Sequence, residues 1–300
     1  MQEILTQLEH AGLPFLEREP LARHTSFRIG GPVRALVLPR SEEELIQATA
    51  ILQNGGQTPL IIGNGSNLLA VDGPIHRVAI KTFDGVSALR RLEGNTIYAA
   101  SGTLLARVAI FARDQGLTGL EFAHGIPGTL GGAVYMNAGA YGGEMGQVVT
   151  RVHYLDEQLN RQTAAGAELA FAYRHSRFCD NPNLLILGAE LTLIPGDPAE
   201  IGATMDQLSA KRRASQPLEF PSGGSTFKRP KTGYAAAMID EAGLRGYTIG
   251  GAQVSEKHAG FVINRGDATC DDVLRLMAHI QETVLQQTGV ELEPEVKLIR

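Results

Sequence analysis

Two glycine-rich stretches are the residues best suited to hold a ligand. The first, Gly63-Asn64-Gly65-Ser66-Asn67, follows the short apolar run Leu60-Ile61-Ile62. Glycine lets the main chain turn sharply and approach a ligand, and successive N–H groups in such a turn form an anion-binding nest. Ser66 and Asn67 add side-chain donors. The second stretch is denser. Gly125-Ile126-Pro127-Gly128-Thr129-Leu130-Gly131-Gly132 is followed closely by Asn137-Ala138-Gly139-Ala140-Tyr141-Gly142-Gly143. Side chains this small let a diphosphate or a flat ring lie against the backbone. Either stretch alone is equally well explained as turns of a glycine-rich protein. Two of them, with Ser101-Gly102 after a further apolar run, point to a dinucleotide. The first is not a G-x-G-x-x-G opening a helix, so the Rossmann reading fails there.

Other residues carry weaker signals. Lys211-Arg212-Arg213 is the only dense basic cluster, and it reads either as cations complementing a helix end or as a phosphate clamp. Gly223-Gly224-Ser225 has the composition of a turn, and no G-x-S-x-G nucleophile elbow is present. In the tail, Val290, Leu292, Val296 and Leu298 alternate with Glu291, Glu293, Glu295 and Lys297, which reads as a strand with one solvated face. His258 reads as a hydrogen-bonded structural histidine. Cys179 and Cys270 form no CxxC pair, so no metal site is expected.

The elements that must position these groups announce themselves by their ends. Ser41 with Glu44 is a capping box followed by apolar Leu45, Ala48 and Leu52 and stopped by Gly55. Asp197-Pro198 opens a second helix with the stripe Ile201, Met205, Leu208. Thr269 with Asp272 opens a third, carrying Val273, Leu276, Ile280 and Val284 before Gly289. A shorter one is expected over 104–115. Strand-like runs fall at 35–38, 60–62, 78–81, 97–100, 149–155, 184–193 and 260–264. Strands and helices mix without a regular βαβ rhythm, which indicates an α+β fold. Turn residues at 194–198 mark the expected boundary between a first region, 1–196 with its core at about 28–195, and a second, 197–300.

Composition narrows the partners. The 300 residues carry a net charge of −5 with the two signs interspersed, which argues against nucleic acid or an anionic membrane surface. Hydrophobic residues make up 43%, enough for a real core. The acidic N-terminus does not read as a signal peptide and no window could span a bilayer, so a cytoplasmic location is expected, with no obligate protein partner evident.

Several segments, in order along nearly the whole chain, resemble the UDP-N-acetylenolpyruvoylglucosamine reductase (MurB-type) family. They are His24-Thr25-Ser26-Phe27-Arg28-Ile29-Gly30-Gly31, the two glycine stretches, Tyr173-Arg174-His175-Ser176-Arg177-Phe178, and Gly223-Gly224-Ser225-Thr226-Phe227. Val254-Ser255-Glu256-Lys257-His258-Ala259-Gly260-Phe261 and Glu293-Pro294-Glu295-Val296 complete the set. The compact segment around Arg174 is similar to the shorter, type II-like subtype.

The resemblance implies a noncovalent FAD in a PCMH-type, vanillyl-alcohol-oxidase-like domain, plus a smaller α+β substrate domain. It implies that NADPH reduces the flavin, which reduces UDP-N-acetylglucosamine enolpyruvate to UDP-N-acetylmuramate for peptidoglycan precursor synthesis. The glycine stretches, with Ser101 and Gly102, then become the FAD site. Arg174 matches the family's arginine for the developing enolate, Ser225 its proton donor, and Glu295 the glutamate that orients water or the enol or assists proton delivery. Tyr141, Arg213, Lys228, Lys257 and Asn264 are the substrate-side candidates. Two rival readings are a PCMH-type oxidoreductase acting on another sugar or alcohol, and a nucleotide-binding module without catalysis. The joint presence of Arg174, Ser225 and Glu295 argues against both.

Overall fold

The computed structural model describes all 300 residues, and the chain divides into two compact units. The first comprises Met1–Glu17, Ala35–Asn64 and Arg77–Lys211; the second comprises Arg18–Arg34, Gly65–His76 and Arg212–Arg300.

Two larger sheets belong mainly to the first unit. Strands Phe15–Glu17, Val33–Val37, Ile75–Lys81 and Leu60–Ile62 form one in that order, the last pair parallel with Ile62 opposite Lys81. The helix Glu42–Asn54, capped where Ser41 accepts from the Glu44 N–H, buries Leu45, Ala48 and Leu52 against it, together with Leu8 of the helix Gln2–His10. The second sheet is antiparallel and five-stranded, in the order Arg161–Ala165, Val149–Leu155, Leu185–Thr192, Thr96–Ala100, Leu89–Arg91. Ile97, Ala99, Ala189 and Leu191 on one face pack on the helices Leu105–Asp114 and Leu130–Tyr135.

The boundary differs from the turn expected at 194–198. The helix Pro198–Ser215 starts in the first unit, and the division falls inside it, between Lys211 and Arg212. The reason is burial: Ile201 and Met205 complete the first core, and Ser209 Oγ lies 3.2 Å from His124 Nδ1. Nor does one cut suffice, since residues 18–34 and 65–76 belong to the second unit.

In that second unit, the helix Cys270–Thr288 lays Val273, Leu276, Ile280 and Val284 against the sheet Thr248–Ile249, Ala252–Val254, Val262–Asn264 and the helix Ala235–Glu241. The tail is a strand only over Lys297–Ile299, which pairs in parallel with Leu68–Ala70. No helix of the chain is long and apolar enough to cross a membrane.

Candidate active site

In the first unit, the segments 101–105 and 128–131 are tied together by main-chain bonds. Ser101 O accepts from Gly131 N at 2.8 Å, Thr103 O accepts from Leu130 N at 2.8 Å, and Gly128 O accepts from Leu105 N at 2.9 Å. Asn64 Nδ2 donates to Pro127 O at 2.6 Å, which brings the first glycine stretch to the second. Glycine is required by close approach. A Cβ on Gly63 would lie 2.3 Å from Thr129 Oγ1, and one on Gly102 would lie 2.0 Å from Thr82 O.

Two hydroxyls at this junction, Ser101 Oγ and Thr129 Oγ1, are buried and have no hydrogen-bond partner. Thr129 is the N-cap of the helix Leu130–Tyr135, yet its side chain makes no capping bond. A buried hydroxyl left unpaired costs free energy, so such atoms call for a ligand acceptor. Oxygen-rich phosphates beside glycine backbone fit that need, and these residues fit an FAD diphosphate.

The second glycine stretch is not one continuous loop. Leu130–Tyr135 within it is helical, including Gly131 and Gly132, because Gly131 is small enough to seat the helix start on Ser101. Gly125 stays in the loop, whereas Ile126 packs on the apolar core. Gly139–Ala140 pairs with Gly143–Glu144 as a hairpin, and Tyr141 sits at its tip, 47% exposed with φ +54°. Asn137 is fully buried, and both ends of its side chain bond to main chain. Sequence reasoning missed Lys81, half-buried at the register position opposite Ile62 and so beside the loop at Gly63. Burial pushes its pKa down. A lysine ending an apolar strand was the available signal.

Arg174 also lies in the first unit, in a tight turn closed by Ala172 and His175, whose N–H and C=O groups exchange two bonds of 3.1 Å. Its φ is +54°, its Nη2 donates to Gly139 O at 3.3 Å, and its guanidinium lies 5.1 Å from the Tyr173 ring centroid. The candidate arginine and the glycine hairpin are therefore in contact. A cavity of 320 Å³ lined by Glu42, Arg90, Tyr98, His153 and Arg161, among others, contains none of the expected site residues.

In the second unit, Ser225 and Glu295 are brought together by main chain. Glu295 N donates to Thr226 O at 2.8 Å, and Phe227 bridges Pro294. Ser225 is exposed while Thr226 and Phe227, the residues after it, are buried. A Cβ on Gly223 would lie 2.8 Å from the Phe27 ring, which makes that glycine a packing requirement. Glu295 is half-buried, unlike exposed Glu291 and Glu293, so the tail does not have the uniform solvated face its alternation suggested. The reason is that Asn67 Nδ2 donates to Glu295 O at 3.1 Å and Asn67 O accepts from Lys297 N at 2.9 Å, pinning the tail. Asn67 is thereby engaged in structure, and Gly65 and Ser66 lie with it beyond the point where the chain enters the second unit.

Among the substrate-side candidates, Lys228 pairs with Glu293, and Lys257 Nζ donates to Arg213 O at 2.7 Å. Arg213 is exposed at the helix end. Asn264 has a different role from the one expected. It is 3% exposed, donates to Phe27 O at 3.0 Å, and accepts from Gly266 N and Ala268 N, so its amide organises the strand end. His258 Nδ1 accepts from Gly260 N at 3.2 Å, and burial holds its pKa below the usual histidine value.

A family model described as an FAD binding domain matches residues 33–158. The chain is thus a flavoprotein with a PCMH/vanillyl-alcohol-oxidase-like FAD-binding domain and a second α+β domain, which is the class that the glycine cradle and its orphaned hydroxyls define. A second model, the C-terminal domain of UDP-N-acetylenolpyruvoylglucosamine reductase, matches residues 216–299. The chain is 48% identical over 283 residues to the UDP-N-acetylenolpyruvoylglucosamine reductase of Caldanaerobacter subterraneus, covering 94% of this chain and 92% of that one. It is 44% identical to the enzyme of that name from Agathobacter rectalis, covering 100% and 98%. The solved structure of the Thermus caldophilus enzyme aligns with a TM-score of 0.80 at 31% identity, covering 96% of this chain and 99% of that one. The chain belongs to the UDP-N-acetylenolpyruvoylglucosamine reductase family.

Proposed function

We propose that this chain reduces UDP-N-acetylglucosamine enolpyruvate to UDP-N-acetylmuramate at the expense of NADPH, with Arg174, Ser225 and Glu295 as its reactive side chains. The full-length likeness to reductases of that name carries the reaction. The contact of Arg174 with Gly139 O in the first unit, and the main-chain bond from Glu295 N to Thr226 O in the second, support their roles.

Bound FAD would supply the hydride-transfer chemistry between NADPH and the terminal carbon of the enolpyruvyl double bond. Ser101 and Thr129 would hold its diphosphate, beside a main chain kept close by Gly63, Gly102 and Gly131. As the double bond is reduced, negative charge develops on the adjacent carbon and spreads into the substrate carboxylate. A guanidinium stays protonated and can fork onto two oxygens, so Arg174 stabilises that charge. Ser225 gives its hydroxyl proton to the carbon; a serine is a weak acid, but the enolate carbon is a strong base. Glu295, whose N–H donates to Thr226 O, orients the enol or the water that restores the proton to Ser225. Lys228, Lys257 and Arg213 supply positive charge for the UDP diphosphate, and Tyr141 a surface for the sugar.

The product's place in peptidoglycan precursor synthesis suggests a cytoplasmic enzyme that contributes to cell shape and division. The decisive experiment follows NADPH loss by the purified flavoprotein with and without the UDP-sugar. Substrate-dependent oxidation with formation of the lactyl ether is expected. Oxidation that is indifferent to the UDP-sugar refutes the assignment.

A further inference from the structure

Asn137 is 0% exposed and stands at φ +42°, a left-handed conformation that asparagine tolerates better than most residues. Its side chain is spent on two contacts. Oδ1 accepts from Gly146 N at 2.8 Å, beyond the hairpin that contains Gly139, and Nδ2 donates to Ala172 O at 2.9 Å. Ala172 O is also the acceptor that closes the turn carrying Arg174, receiving the His175 N–H at 3.1 Å. Gly146 is packed closely here as well, since a Cβ on it would lie 3.0 Å from the Phe171 Cβ. The other side of the turn is held by buried Ser176, whose Oγ donates to Tyr135 O at 2.7 Å.

Through these bonds one buried amide connects the loop after the helix Leu130–Tyr135, the hairpin whose Gly139 O meets the Arg174 guanidinium, and the base of the Arg174 turn. We propose that Asn137 is a positioning residue for Arg174: it sets the height of the turn against the Gly139–Ala140 strand and so aims the guanidinium at the substrate carboxylate. This rests on the role given to Arg174 above. It replaces the expectation that Asn137 contacts the cofactor.

The chemistry is specific to the amide. An aspartate keeps the size, the tolerance of positive φ and the acceptor for Gly146 N, but it puts an oxygen where a donor meets Ala172 O. Displacing a charged group by about 1 Å from its working position costs on the order of 100-fold in rate.

The test uses the FAD-loaded protein and separates the two half-reactions by stopped-flow. N137D is expected to retain bound flavin and its reduction by NADPH within about twofold, while reoxidation by UDP-N-acetylglucosamine enolpyruvate slows about 100-fold. N137G, which keeps the backbone conformation and removes both side-chain bonds, does the same and serves if N137D does not fold. In an R174A background N137D is expected to add nothing, because both changes remove one effect. Equal loss in both half-reactions, or a full additive loss on top of R174A, overturns the positioning role while leaving Arg174 its own. If R174A alone leaves reoxidation unchanged, the Arg174 reading falls, and this proposal with it.

Discussion

Thr129→Val separates binding from folding with effects of opposite sign. The Thr129 hydroxyl is 1% exposed and has no partner, and valine replaces it with a methyl of nearly the same size. In the flavin-free protein the change removes a buried, unsatisfied polar atom, a cost of about 1–3 kcal/mol. The apoprotein is therefore expected to gain stability by up to that amount, a rise in Tm of about 2–4 °C per kcal/mol for a domain of this size. In the FAD complex the same hydroxyl is expected to donate to a phosphate oxygen, worth about 1.5–3 kcal/mol, so affinity should fall roughly 10- to 150-fold. Differential scanning calorimetry of flavin-depleted protein and a fluorescence-quenching titration with FAD measure the two effects. An apoprotein that is destabilised, or an FAD affinity that does not change, refutes the assignment of Thr129 to the cofactor cradle.

Ser225→Ala is expected to leave flavin reduction by NADPH intact and to slow turnover about 10²- to 10⁴-fold, as for loss of a positioned proton donor; single-turnover kinetics decide this. His258 takes up a proton less readily in the folded protein than in the unfolded chain, where its pKa is about 6.5. The unfolded state thus binds more protons as pH drops through that value, so this histidine lowers stability below about pH 6.5, and urea titrations of His258→Gln should show a shallower loss on acidification. Thr269 accepts from Asp272 N while Asp272 accepts from Thr269 N, so Thr269→Ala should cost about 1 kcal/mol in urea unfolding without altering flavin content.

Helix boundaries set by local chemistry were legible from sequence. Ser41 with Glu44 and Gly55 enclosed the helix Glu42–Asn54, and Thr269 with Asp272 and Gly289 enclosed Cys270–Thr288, with Gly289 at φ +71° as a C-cap requires. These signals work because cap and partner lie within a few residues. The helix Leu130–Tyr135 was missed because its glycines mark a close approach to Ser101, a contact that propensity does not register. The motifs also pointed to Arg174, Ser225 and Glu295, although Glu295 could not be told from Glu291 or Glu293 by alternation.

By itself, then, the chain's order of residues determined the α+β class, the principal helix ends, the two glycine stretches and the family, since each is written in neighbours or in motif order. Only the tertiary structure decided that residues 18–34 and 65–76 leave their sequence neighbours for the second unit, and that Lys297–Ile299 lies parallel to Leu68–Ala70. It also decided which polar side chains remain available: Ser101 and Thr129 are buried without partners, while the amide nitrogens of Asn137 and Asn264 are consumed by carbonyls 35 and 237 residues away. Burial and pairing at that separation depend on where the whole chain folds, and no local pattern encodes them.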